Sequence, residues 1–259
     1  MRKFVTILRY EFLNIMRSRW LVGYTFLLGG LTLGFSNLSD DPVKVLLSLT
    51  TAFCAIAPLV SVLFGCMSWY QAERFTQLLL TQPVNRRTLF CARILALVSS
   101  LGLSLVLGFL CVAWLLGIKG PTLVWLFCAT FFLSSVFCLI GTLISVYIQD
   151  RMWGLGSAVV VWVYSALVHD GLILLVLLNL RDYPMDLWSG ILCAANPIGL
   201  ARVTLLLHFD APLLLGHSGA LIRNLVESGQ GFIYAGLIGA LWVIGPLALS
   251  FRRFGRRDF

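Results

Sequence analysis

Six stretches of the chain stay apolar over the length of a bilayer crossing, and polar residues gather between these stretches rather than alternating within them. The runs lie at about 20–36, 47–70, 94–118, 122–148, 152–179 and 231–251. A hydrocarbon core ~30 Å thick takes about 20 mostly apolar residues per helical crossing. The pattern therefore predicts six transmembrane helices. A membrane β-barrel would alternate polarity over roughly ten-residue segments, and these runs, rich in Leu, Gly and Ala, do not. The expected fold class is all-α, a polytopic membrane protein with one transmembrane domain over residues 1–259.

Ahead of the first run, residues 1–19 place Phe4, Ile7, Leu8, Phe12 and Ile15 at helical spacing, with Arg2, Lys3, Arg9 and Arg17 largely off that stripe. This predicts a helix lying in the membrane interface, since a disordered basic tail would not repeat its large apolar residues at i, i+3 and i+4. The basic region is too long for a secretory signal, so the first span is expected to be retained. The fifth run is longer than a crossing needs: residues 152–180 would extend ~43 Å as a helix. It contains His169-Asp170, which falls ~26 Å from its start on the same rise. An ionisable pair inside a membrane is by default a functional hypothesis. At that depth the preferred reading is that the pair marks where the helix meets water.

Composition and charge agree with this picture. Hydrophobic residues make up 59% of the chain and charged residues 12%, against roughly one quarter charged in soluble domains. Lysine and arginine near span ends are retained on the cytoplasmic side. If both termini are inside, the inner segments hold fourteen of them: Arg2, Lys3, Arg9, Arg17, Arg19, Arg74, Arg86, Arg87, Arg93, Arg151, Arg252, Arg253, Arg256 and Arg257. The outer segments hold five, Lys44, Lys119, Arg181, Arg202 and Arg223. Both termini are therefore expected in the cytoplasm. Topology and anionic headgroups explain the net charge of +8, and no nucleic-acid recognition motif is present. The seven cysteines form no CxxC pair and fall mostly inside spans, as small packing residues do.

Candidate chemistry is sparse. A phosphate-binding loop ends in Gly-Lys-Ser/Thr, and none of Lys3, Lys44 and Lys119 follows a glycine. The chain is thus not expected to bind ATP or to be an enzyme, and "ESGQG" (227–231) reads as a turn into the sixth span. The connection 180–230 is the one long segment expected on the outer face. His208, Asp210 and His217, with Met185, offer copper-type ligands there, but His-x8-His spacing does not itself converge ligands. One or two amphipathic helices on the outer interface explain the segment better, and no metal site is expected. Gly30-x-x-x-Gly34 in the first span allows close helix approach and suggests a dimer contact. Pro58 and Pro246 suggest kinks in the second and sixth spans.

The cytoplasmic segment 71–93 contains "ERFTQLLLTQPVNRRTLF". A short amphipathic helix is expected over 73–81, with Phe75, Leu78 and Leu79 on one side and Glu73, Arg74 and Gln77 nearer the other, stopped by Pro83. Read on composition alone, the segment would be an interfacial loop that obeys the positive-inside rule. Its order, with an acidic residue, a leucine run, a proline and paired arginines ahead of a span, resembles the coupling-helix region of type-2 ABC exporter permeases. Glu73, Leu78-Leu79-Leu80, Pro83 and Arg86 match, while Phe75 stands where that family usually has glycine. "NPIGLARVTLLLHFD" (196–210), "LLLGHSGALIRNLVESGQG" (213–231) and "PLALSFRRFGRRDF" further resemble the NosY-like permeases encoded with nitrous-oxide-reductase maturation genes. The resemblance implies a homodimeric permease in a bacterial cytoplasmic (inner) membrane, working with two copies of a separate ATPase subunit that binds ATP and Mg2+. The coupling surface would comprise Glu73, Arg74, Phe75, Leu78, Leu79, Pro83, Arg86 and Arg87, and a NosD-like protein concerned with copper or sulfur delivery would dock outside. The alternative is a membrane anchor or assembly factor without a transport cycle. A secondary transporter is a third possibility, but the spans lack paired buried ionisable residues.

Overall fold

The computed structural model describes residues 2–38, 42–80, 85–116, 121–179, 192, 194–208 and 230–256. Among them the chain is helical and holds no strand: α1 (Arg2–Met16), α2 (Arg19–Leu38), α3 (Pro42–Gln71), α4 (Glu73–Leu80), α5 (Arg86–Leu116), α6 (Pro121–Tyr147), α7 (Arg151–Val163), a π turn (Tyr164–Val168), α8 (His169–Asn179), α9 (Pro197–His208) and α10 (Gln230–Gly255). Six stretches are long and apolar enough to cross a membrane: Arg19–Leu38, Lys44–Gln71, Arg86–Trp114, Leu123–Tyr147, Arg151–Val176 and Ala235–Gly255. The protein is an all-α multi-pass membrane protein. Six crossings return α1 and the end of α10 to the same face, which also carries α4 and Arg151 and is called the basic face below.

Lipid tails are as apolar as leucine, so packing between spans depends on close fit and on buried polar contacts rather than on escape from water. The central pair, α3 and α6, meets by close backbone approach. A Cβ on Gly65 would overlap the Cys138 carbonyl, and one on Gly141 would overlap that of Val62. Around this pair, α2 lies on α3 and α5, α1 lies on α5, and α10 lies on α6. Hydroxyls stitch the spans together: Tyr24 Oη lies 3.0 Å from Ser134 Oγ, and Thr25 Oγ1 lies 2.8 Å from Ser104 Oγ. The Trp162 indole donates to the Ala55 carbonyl at 2.8 Å, in the turn before Pro58. A proline disturbs the carbonyls of that turn, and a neighbouring helix can satisfy them. A Cβ on Gly30 or Gly34 would meet nothing within 4 Å among the described residues of other helices; the glycines that carry close contact here are Gly65 and Gly141.

Two regions depart from the expectation. α5 begins at Arg86 instead of near residue 94, because Asn85 Oδ1 accepts the Arg87 amide at 3.1 Å and so caps the first turn. The second departure concerns the segment expected to lie on the outer interface. In α9, Ile198, Ala201 and Leu205 are buried in the main core, on the face that helical spacing gives them. The Trp242 indole donates to the Ala194 carbonyl at 3.2 Å, about 18 Å along α10 from Gln230. Asn196 donates to the Ser165 carbonyl, about 21 Å along the fifth span from Arg151. α9 therefore starts well inside the membrane thickness and packs within the bundle.

Candidate functional site

At the basic face, four helices converge on one side chain. Arg93, in the second turn of α5, is 3% exposed. Its Nη1 donates to Thr76 Oγ1 of α4 at 3.2 Å, and its Nη2 donates to the Ser68 carbonyl of α3. The guanidinium also lies over the Trp69 ring, 4.9 Å from the centroid. Nη1 is 3.8 Å from Glu11 Oε1 of α1, a residue 2% exposed.

Each contact has a local cause. Ser68 sits in the last turn of α3, at the negative end of the helix dipole; its carbonyl accepts the Ala72 amide at 3.3 Å and has a second lone pair for the guanidinium. Thr76 donates its own hydroxyl proton to the Ala72 carbonyl at 2.8 Å, which leaves a lone pair for Arg93. Glu11 compensates a charge that could not otherwise be buried in this setting. The junction thus ties α4 to α1, α3 and α5 through a single planar fork.

A second contact holds α4 from outside. The Phe75 ring stacks on Tyr10 of α1, with centroids 5.1 Å apart and planes at 27°. Phe75, where the resembled pattern has glycine, is therefore an anchor between the two short helices. Leu78, by contrast, is 66% exposed and Gln77 is exposed, so α4 keeps an outward surface. Beneath it, Trp69, Phe90 and Phe254 form a cluster of tilted and edge-on rings with centroids 5.3–5.8 Å apart. This cluster joins α3, α5 and α10. Nearby, the Tyr70 hydroxyl donates to the Ile148 carbonyl at 2.7 Å and lies where a Cβ on Gly154 would overlap it. The end of α3 is thus seated against the α6–α7 turn, where Asp150 caps α7.

Among the residues expected to couple, Glu73 opens α4, Arg86 and Arg87 open α5, and Phe75 and Leu78 divide between anchor and exposed surface. The side chains of Arg74 and Leu79, and all of Pro83, lie outside the described residues. So do Met185, Asp210, His217 and the side chain of His208, which ends α9. Sequence reasoning used Arg93 only as a marker of topology and did not single out Glu11 or Thr76. A signal was present: Arg93 is an arginine a full turn inside a helix, and Glu11 is an acid between the apolar positions of an amphipathic one.

The other charged pair lies at the far end of the fifth span. Asp170 Oδ2 accepts from Arg202 Nη1 at 2.6 Å, with side chains 36% and 33% exposed. His169 is buried at 6% exposure, and the Tyr164 ring meets it edge-on, 6.2 Å between centroids. Of the pair expected to mark where the helix reaches water, His169 is enclosed, while Asp170 stays partly exposed and is paired with Arg202. The π turn just before them accompanies the bond from Asn196 to Ser165. No group of three or more metal-type ligands occurs among the described residues. Neither a family model nor a curated protein matches the chain.

Proposed function

We propose that this chain is the transmembrane permease subunit of an ABC transporter, receiving mechanical work at α4 from a separate ATPase subunit. The observation that carries this reading is the Arg93 junction. A short helix with an exposed outer surface, held by one buried guanidinium to three other helices, is a means of passing a push from a soluble partner into the spans. A helix that merely met lipid headgroups would have no need of such a tie.

In this reading the ATPase groove receives Gln77, Leu78 and the flanking charges of Glu73, Arg74, Arg86 and Arg87. ATP and Mg2+ belong to that partner, and this chain supplies no catalytic residue. Two copies of the chain would assemble with two ATPase subunits, with Gly30 and Gly34, where an added Cβ meets nothing within 4 Å among the described residues, available to a second copy. The membrane would be a bacterial cytoplasmic membrane with the basic face inward. The narrower reading, conformational work on an outer-side partner in copper or sulfur delivery to nitrous oxide reductase, rests on the resemblance of 196–231 and the C-terminal stretch.

The test is co-purification in detergent with ATP-binding-cassette ATPase subunits from the same cell. Co-elution is expected for the wild type and its loss for Glu73→Arg and for Arg87→Glu, with membrane insertion intact in all three. Equal binding by wild type and both variants would sink the coupling reading and favour a membrane anchor.

A further inference from the structure

A cleft of about 270 Å3 opens at the basic face between the start of α5 and the end of α10. Its walls carry four guanidinium groups, those of Arg86, Arg87, Arg252 and Arg256, and no carboxylate among the described residues lines it. Its floor is made of Phe251 and Phe254. Phe254 is 2% exposed, and Phe90 packs against both rings, with centroids 5.7 Å from Phe251 and 5.3 Å from Phe254. Arg87 is laid over Phe251 with Cζ 5.9 Å from the ring centroid, which holds its charge at the cleft wall. Arg253, between two cleft residues in sequence, turns the other way and lies 5.2 Å from the Tyr147 ring.

The position of the cleft narrows what it can hold. Arg86 opens one membrane-spanning stretch and Gly255 closes another, so the guanidiniums stand at the level of the lipid headgroups. The amide end of α5 adds positive potential there, and the carbonyl end of α10 offsets part of it; Arg87, Arg252 and Arg256 line the cleft beside Arg86. Guanidinium forks match phosphate oxygens in geometry and charge, and basic pockets between span ends on this side suit anionic headgroups. An aromatic floor beneath a basic rim suits a molecule whose polar end is anionic and whose next atoms are apolar. A headgroup with its own cation would meet like charges on the cleft wall.

We propose that this cleft binds the phosphate of an anionic phospholipid from the adjoining leaflet, clamped between the α5 and α10 arginines. The cleft shares Arg86 and Arg87 with the surface proposed to meet the ATPase, so its test varies the α10 arginines and uses the chain without that partner. It is tested on the full chain, purified in detergent and stripped of lipid, by titrating phosphatidylglycerol, phosphatidylcholine and inorganic phosphate and counting bound molecules by native mass spectrometry. Phosphatidylglycerol is expected to bind in preference to phosphatidylcholine and to resist displacement by millimolar inorganic phosphate. Its affinity should fall on the order of tenfold in Arg252→Gln/Arg256→Gln and stay unchanged in Arg253→Gln.

Coincident phosphatidylglycerol curves for wild type and the double variant would overturn the proposal and leave the cleft to an acidic protein segment. An equal loss in Arg253→Gln would overturn it in favour of undirected charge, and complete displacement by inorganic phosphate would make it a site for a free anion. Should the glutamine pair not elute as the wild type does, Arg252→Lys/Arg256→Lys decides. It keeps the charge and loses the fork, and an affinity equal to wild type would remove the clamp.

Discussion

The two ends of the bundle each hold an arginine–carboxylate pair, and they differ in every physical respect. Arg93 and Glu11 are 4% and 3% exposed at their side chains and sit 3.8 Å apart, sharing the site with Thr76, the Ser68 carbonyl and Trp69. Arg202 and Asp170 are 33% and 36% exposed and sit 2.6 Å apart. The shorter contact is the weaker determinant of structure. Water can take over from either partly exposed partner, so an exposed pair contributes about 0–1 kcal/mol, whereas both partners of the inner pair are buried and removing one leaves the other an uncompensated buried charge. The inner pair is therefore a fixed joint among four helices, and the outer pair is a local tie between α8 and α9.

Several substitutions would break or sharpen this contrast. The largest effect is expected for Arg93→Met, which leaves Glu11 buried without compensation and should cost about 3–5 kcal/mol, measured as a fall in detergent-phase unfolding free energy. The double variant Glu11→Leu/Arg93→Met should recover most of that loss while failing to co-purify with an ATPase. Full stability with full ATPase binding would show the joint to be dispensable. Gly65→Ala comes next, at about 1–3 kcal/mol, since its Cβ would strike a backbone carbonyl that cannot rotate away. Phe75→Ala should cost about 0.5–1.5 kcal/mol beyond its lost area and loosen α4, read as faster proteolysis between α4 and α5. Asp170→Asn should be smallest, about 1 kcal/mol or less. A loss there as large as that of Arg93→Met would erase the distinction between the two ends.

The spans were legible because each is a continuous apolar run, and a bilayer admits few other ways to satisfy so much backbone. The start of α5 was less legible because Arg86, Arg87 and Arg93 read as loop by charge alone, yet a helix end with long cationic side chains keeps its backbone bonds while the charges reach polar partners. The Arg93 joint was hidden for a different reason. Its partners Glu11 and Thr76 lie 82 and 17 residues away, and no local spacing links an acid in α1 to an arginine in α5. α9 was misplaced because its apolar face suits a membrane surface as well as a bundle interior; the bonds from Asn196 to Ser165 and from Trp242 to Ala194 that draw it inward involve backbone carbonyls, which a sequence does not mark.

The glycine contact between α3 and α6 has a mechanical consequence. With backbone against backbone at Gly65 and Gly141, these two helices have no side-chain cushion along which to slide, and they form a stiff spine. Displacement arriving at α4 would then turn the rest of the bundle about that spine, as a door turns on its post, rather than spreading evenly through all six spans.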